Sequence, residues 1–201
     1  MSSESKNNKK IILLVSIFIF LISCNIETEK DLKNKRPNII LILSDDMGYS
    51  DIAPYGGEID TPNLTSLAKD GLKFTQFYNA ARCCPTRASL LTGNYPHEAG
   101  VGHMTNPPND INGHNYGVPE YQGKLSSNVV TIAEVLRSSG YSTLMSGKWH
   151  LSFFDKNQWP IQRGFDKFYG FISGAGNYFR PEAPRQIFEG NNVIKINDEE
   201  Y

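Results

Sequence analysis

The chain has little cysteine: Cys24, Cys83 and Cys84 are the whole supply in 201 residues. Neighbouring cysteines rarely bridge each other, so no disulfide framework holds this fold and each cysteine needs its own role. An excess of either charge is missing too, with 20 Lys and Arg against 21 Asp and Glu and a formal net charge of −1. That balance disfavours nucleic acid as a partner, because it lacks the broad basic surface such proteins use. Nor is there an apolar run long enough for a comfortable membrane span, which takes about 20 helical residues. The run from Ile11 to Ile22, interrupted only by Ser16, has 12. No internal repeat or low-complexity stretch is visible. What is present is 39% hydrophobic and 11% aromatic residues, a composition able to bury a core and unlike that of a disordered or fibrous chain. At roughly 100 to 200 residues per domain, the length allows one domain or one piece of a larger one.

Lys6, Lys9 and Lys10 precede the apolar run, and this positive-then-apolar order is that of a secretory signal. The Leu21-Ile22-Ser23-Cys24 that ends it resembles the bacterial lipoprotein signal, in which a small residue precedes a cysteine that is lipidated and becomes the new amino terminus. The resemblance implies an exported protein held on a bacterial membrane, on the periplasmic or cell-surface side, through a lipid on Cys24. The plainer alternative is an ordinary signal peptide with a cysteine near its end. Removing residues 1–23 leaves 17 basic (20 − 3) and 20 acidic (21 − 1) residues, a balance of −3. Asn25 to Arg36 is polar and charged, too poor in apolar surface to fold alone, and reads as a tether. The expected organisation is therefore a signal peptide over 1–23, a tether over 24–36 and a folded segment over 37–201.

Asn38 to Leu43 is a short apolar run rich in β-branched residues after Pro37, which predicts a strand buried on both faces. It stops at Ser44-Asp45-Asp46. Ligands gather beyond the carboxyl ends of strands in open α/β sheets, and two adjacent carboxylates there repel unless a cation lies between them. A hard cation such as calcium or magnesium suits carboxylate oxygens, while a solvated turn with Asp46 as a cap explains the pair equally well. Thr61 to Gly71 predicts a packing helix, with Thr61 as N-cap, Pro62 first, Leu64, Leu67 and Ala68 on one face, and Gly71 as the stop. Leu72 to Asn79 predicts a second strand, Val129 to Ser139 a helix ended by Gly140, and Tyr141 to Met145 a further strand. Strands alternating with helices imply an α/β fold, a mainly parallel sheet sandwiched by helices.

The chemistry concentrates in Ala81-Arg82-Cys83-Cys84-Pro85-Thr86-Arg87-Ala88-Ser89-Leu90-Leu91-Thr92-Gly93. Pro85 suits the first turn of a helix and Gly93 its end, which sets Cys83 just before a helix amino terminus. Unpaired N–H groups and the helix dipole favour an anion there, and Arg87 adds a positive charge one turn in. The residues describe an anion pocket with a reactive sulfur at its mouth. A thiolate nucleophile or a redox cysteine would use the same arrangement.

Cys83-x-Pro85-x-Arg87 followed by Ala88 to Gly93 resembles the signature of the type I sulfatases, members of the alkaline phosphatase superfamily. The resemblance extends through Arg36-Pro37-Asn38, Asp45-Asp46-Met47-Gly48 and Thr61-Pro62-Asn63-Leu64 to Gly147-Lys148-Trp149-His150-Leu151 and Gly164-Phe165-Asp166, in family order. It implies an alkaline phosphatase-like fold and conversion of Cys83 to formylglycine, by a formylglycine-generating or an anaerobic sulfatase-maturating enzyme. The hydrated aldehyde would attack the sulfur of a sulfate ester and later release sulfate. Asp45 and Asp46 match the aspartates that, with the modified Cys83, hold a divalent cation, usually calcium. Arg87 matches the residue that steadies formylglycine, and Lys148 and His150 match the pair touching the aldehyde diol and the sulfate. Cys84 is out of register for conversion and is expected to be a plain thiol. The substrate is a sulfate ester, aryl or glycan.

Lys148 alone would be an ordinary surface lysine, and His150 a packed histidine at a turn; the surrounding motif gives them their roles. His97 and His103 are expected to be structural, and His114 a loop residue. Ser173 could line a substrate entrance, but is not expected to. Met104 to Gly123 reads as a long loop over the active face. The resemblance departs from its pattern after His150, where the family's downstream Asp-Asn pair, histidine and lysine find no counterparts. The expectation is a sulfatase amino-terminal fragment, incomplete at its carboxyl end, with negligible turnover and poor solubility alone. The competing readings are a non-catalytic truncated lipoprotein that binds anions or glycans, and a phosphate or phosphonate ester hydrolase of the same superfamily. Gln186 to Ile196 predicts a hairpin turning at Gly190-Asn191-Asn192.

Overall fold

A computed structural model describes residues 36–105 and 116–195. The expectations for residues 1–35, including Cys24, and for His114 lie outside the described residues. The chain divides into two units, one ending at Ser44 and the other running from Asp45.

In the first unit the described residues 36–44 carry no regular secondary structure and are exposed, with Ile40 at 83% of its free accessibility, and the strand expected from Asn38 to Leu43 is absent. An apolar run reports an appetite for burial, whereas a strand exists only with a ladder partner, and this run has none among the described residues.

In the second unit, Pro62–Asp70 is a helix, α1, as the Thr-Pro start requires, but its Thr61 side chain caps no helix N–H. The Thr61 hydroxyl instead accepts from the Ala53 N–H at 3.1 Å, which pins the 3-10 turn Ala53–Tyr55 to the helix start. The expected packing face is open: Leu64 and Leu67 are exposed. Leu72 to Asn79 forms no strand either, and Leu72, Phe74, Phe77 and Tyr78 lie exposed. The second helix, α2, spans Cys83–Thr92 and ends at Gly93, whose φ of 69° is the left-handed conformation that stops a helix. Cys83 is its first residue rather than the residue before it.

The third helix, α3, spans Ile132–Ser138 and starts on a capping box: Thr131 Oγ1 accepts from Glu134 N–H, and Glu134 Oε2 accepts from Thr131 N–H at 2.6 Å. Gly140 follows it. The strand expected at Tyr141–Met145 lies three residues later, as β1, Leu144–Lys148. With β2 (Lys167–Phe171), β3 (Ile187–Glu189) and β4 (Asn192–Ile194) it makes a sheet in the order β1-β2-β3-β4. Only β1 and β2 run parallel; the other two pairings are antiparallel, so among the described residues the α/β fold carries a mixed sheet rather than a mainly parallel one. The expected hairpin is β3–β4.

β1 and β2 approach closely at a glycine pair, Gly147 opposite Gly170, where a Cβ on Gly170 would overlap the Gly147 backbone. The pairing continues past β1, with Trp149 N–H bonded to Phe171 O at 2.8 Å and His150 N–H to Ile172 O at 3.1 Å. That extension sinks Trp149 and Leu151 fully into the core with Leu125, Val101, Ile172 and Cys84. Trp149 meets the edge of Phe165, and Trp159 that of Phe188, the tilted geometry that aromatic quadrupoles favour. The core therefore sits directly beneath Lys148 and His150.

Candidate active site

Lys148 is the last residue of β1, and its main chain and side chain do different work. Its carbonyl accepts from Arg87 Nη1, and its ammonium Nζ donates to Asp45 Oδ2 at 2.7 Å. Arg87 comes from the second turn of α2, and its Nη2 lies 3.5 Å from Asp45 Oδ1. One half-exposed carboxylate thus bridges two largely buried cations. Burial pulls the Asp45 carboxyl up, but the hydrogen bond and charge of Lys148, with Arg87 behind them, outweigh it and hold the group below its ordinary value. Arg87 Nε is buried with no hydrogen-bond partner among the described residues.

Asp45, Asp46 and Cys83 offer ligand atoms that all lie within 4.8 Å of one another. The donors are two hard carboxylates and one soft sulfur, a poor set for calcium as it stands. Exchanging the sulfur of Cys83 for oxygen would make the set uniformly hard. The residues fit a hard divalent cation on that condition, and three ligands fall short of the roughly 6 to 8 oxygens calcium takes.

His150 has different hydrogen-bond neighbours. Its imidazole is buried, with Nε2 at 3.6 Å from Cys84 Sγ and 3.4 Å from Thr105 O, while Nδ1 is buried with no partner among the described residues. Burial first, then the nearby charge of Lys148, hold its pKa down at about 4 against an ordinary 6.5. The ring is neutral at pH 7. Cys84 is fully buried and accepts the Thr105 N–H at 3.0 Å; burial pushes its thiol pKa up, which makes it the plain thiol expected. Among the described residues, three non-glycine residues have left-handed backbones, Asp46 (φ 55°), Ala81 (φ 50°) and His150 (φ 58°). Two of them are candidate site residues and the third lies two residues before Cys83, so the strain concentrates around the site.

The structure brings Asp45, Asp46, Cys83, Arg87 and Lys148 together and packs His150 against Cys84. Sequence reasoning missed Thr105, which contacts both Cys84 and His150, because nothing in the loop marks it. His97 bonds the Tyr121 hydroxyl at 3.2 Å, and His103 stacks edge-on with Tyr116, both away from the cluster. Ser173 is buried and donates to Ala175 O, in keeping with a structural rather than a lining role.

An α/β fold that gathers a carboxylate pair, a helix-borne cysteine and two sequestered cations beyond a strand end defines an enzyme-like anion site. Comparison with known proteins narrows it. The sulfatase family profile matches residues 37–198. Over 168 residues the chain is 40% identical to an arylsulfatase of Klebsiella aerogenes, covering 84% of this chain and 35% of that protein. A sulfatase of Schizosaccharomyces pombe is 41% identical over 153 residues, 76% of this chain and 27% of the relative. The crystal structure of Ps i-CgsB superposes with a TM-score of 0.62 at 39% identity, over 72% of this chain and 30% of that one, and the same protein has been solved with k-i-k-neocarrahexaose. The chain belongs to the sulfatase family and has its alkaline phosphatase-like fold. It spans about a third of the length of the curated relatives it matches.

Proposed function

We propose that this chain carries the nucleophile half of a sulfuric ester hydrolase, with Cys83, in its formylglycine form, as the attacking residue. The observation that carries the reading is the meeting of Cys83, Asp45 and Asp46 within 4.8 Å, beside Arg87 and Lys148. A formylglycine at position 83 would supply a geminal hydroxyl as nucleophile, and a calcium ion on Asp45 and Asp46 would supply Lewis-acid charge. Arg87, clamped by the Lys148 carbonyl and Asp45, fixes positive charge one turn behind the nucleophile. Lys148 directs its ammonium to the same place and would meet the sulfate oxygens, where negative charge builds as the ester bond breaks. His150, neutral at pH 7, is able to hold or pass a proton.

The hexaose bound by the Ps i-CgsB neighbour favours a sulfated glycan over a small aryl ester as the natural substrate. Cys24 would anchor the exported protein to a bacterial membrane, a setting suited to external polysaccharide, with residues 24–36 as the tether and residues 37–201 carrying the catalytic segment. A formylglycine-generating or anaerobic maturating enzyme would act on Cys83 before the fold closes.

Mass spectrometry of the peptide carrying Cys83 from the native organism tests the nucleophile: a thiol-to-aldehyde mass loss is expected, and unmodified Cys83 in abundant protein would sink the reading. Rates on aryl sulfate and aryl phosphate esters, measured on the enzyme purified from the native organism, test the reaction class. Faster phosphate hydrolysis would move the protein to the phosphoesterase branch.

A further inference from the structure

β1 and β2 run parallel, so both end at the same edge of the sheet, and the chain leaving β2 starts beside the residues that leave β1. Lys148 stands opposite Phe171 in the register, and the pairing carries on with the His150 N–H bonded to Ile172 O at 3.1 Å. Beyond it Gly174 lies against the His150 ring, so close that a Cβ there would overlap the imidazole, and Gly176 is packed in the same way against the Phe171 ring. The segment after β2 therefore begins at His150, two residues past Lys148, beyond the carboxyl ends of two parallel strands. Ligands gather at that end of α/β sheets.

A little further along, the chain exposes Tyr178 at 74% and Phe179 at 79%, followed by the exposed Arg180. Four residues of fully extended chain span at most about 14 Å, which bounds the distance from the Gly174 backbone to that of Tyr178. The turn that carries them is ordered: Asn177 Oδ1 accepts from the Phe179 N–H at 2.9 Å and from the Arg180 N–H at 3.0 Å. The Arg180 guanidinium makes no ion pair among the described residues. Contiguous exposed apolar surface marks a place where something docks. The exposed runs at 38–43 and 72–79 have strand composition and open backbones, which suit a ladder, whereas Asn177 to Arg180 is a closed turn whose side chains alone remain unpartnered.

We propose that Tyr178, Phe179 and Arg180 form a sugar subsite: the two rings pack on the C–H faces of the sugar next to the one whose sulfate is cleaved, and Arg180 pairs with a sulfate on that neighbouring sugar. The chemistry selects this occupant. A sugar ring turns C–H groups toward the electron-rich face of an aromatic ring while its hydroxyls stay in water, so a solvent-exposed ring is suited to hold it. The planar guanidinium matches the oxygens of a sulfate as it does those of phosphate or carboxylate. A small aryl sulfate carries neither the second sugar nor the second sulfate and gains nothing from the three residues. The proposal rests on the sulfated-glycan reading given above and adds where the chain beyond the cleaved residue is held.

Enzyme produced at full length in the native organism tests it, with rates normalised to the aldehyde fraction at residue 83. The probes are p-nitrophenyl sulfate and the best-cleaved member of a panel of sulfated hexasaccharides from carrageenan, heparin, chondroitin sulfate and fucoidan. Tyr178→Ala and Phe179→Ala are each expected to raise KM on the hexasaccharide about 5-fold and Arg180→Gln about 10-fold, while all three stay within about twofold on p-nitrophenyl sulfate. Phe179→Trp, which keeps a stacking face, should hold the wild-type KM. Equal losses on both probes with a lower Tm would mean that the rings pack against protein, and would overturn the proposal. So would an unchanged KM on the hexasaccharide, or a wild type that cleaves the aryl ester and no hexasaccharide. A wild type that hydrolyses no sulfate ester would sink the sulfatase reading, and migration through gels containing the same polysaccharides would then decide the subsite: wild type retarded more than Tyr178→Ala keeps it, and equal migration ends it.

Discussion

The two sides of the α2 amino terminus are built on opposite principles. On the Cys83 side, Asp45, Arg87 and Lys148 form a charged cluster whose carboxylate is 43% exposed and can exchange partners with solvent, cation or substrate. On the Cys84 side, Thr105, Cys84 and His150 are buried, uncharged and joined by hydrogen bonds. The rotation of about 100° from Cys83 to Cys84 separates a surface made to meet charge from a wall made to exclude it. The lesson is that neighbouring residues of one motif can carry unrelated physical duties, since a helix sends them in different directions.

The largest test of that contrast replaces each cysteine in turn. Cys83→Ala is expected to lower aryl sulfate turnover by roughly 10⁴-fold or more, the scale of losing a nucleophile, against the much smaller effect of Cys84→Ala. Equal losses would erase the distinction. Next comes Arg87→Met, which leaves Asp45 with Lys148 alone and should cost about 10²-fold in kcat and about 2 kcal/mol in urea unfolding. A rate loss with no stability loss would mean that the charged side contributes nothing to folding.

The buried side is sharpened by acid. The folded-state pKa of His150 lies below its unfolded value, so its contribution to stability is complete above about pH 6.5 and is lost as pH falls toward about 4. Urea melts over that window should lose up to about 3 kcal/mol, and His150→Gln should flatten the slope. The smallest effect belongs to a site remote from both sides: Thr131→Ala removes the capping hydroxyl of α3 and should cost about 1 kcal/mol, with turnover per aldehyde unchanged.

Helices were legible in the sequence because their punctuation is local. Pro62 and Gly93 bound α1 and α2 within a residue or two of their expected ends, and Gly140 follows α3, which starts three residues after the expected Val129. The runs at 38–43 and 72–79 have strand composition but form no ladder among the described residues, because pairing is decided by distant segments that composition does not see. β1 began three residues late for a related reason: its register follows β2, set by the Gly147–Gly170 approach rather than by its own apolar residues. Cys83, Arg87 and Lys148 could be singled out from motif context. The pairing of His150 with Cys84 and Thr105 could not, since 45 residues of chain separate Thr105 from His150 and only folding brings them together.

The carbonyl that receives Arg87 belongs to Lys148, and every amino acid has such a carbonyl. A mutation at position 148 would therefore delete the ammonium without releasing the guanidinium. In a saturation library the two positions should tolerate change independently: substitutions at 148 that spare the β1 backbone should silence turnover yet keep the protein abundant. A lineage that lost catalysis this way would retain a folded, anion-attracting relic, ready to be recruited for binding or restored by a single codon.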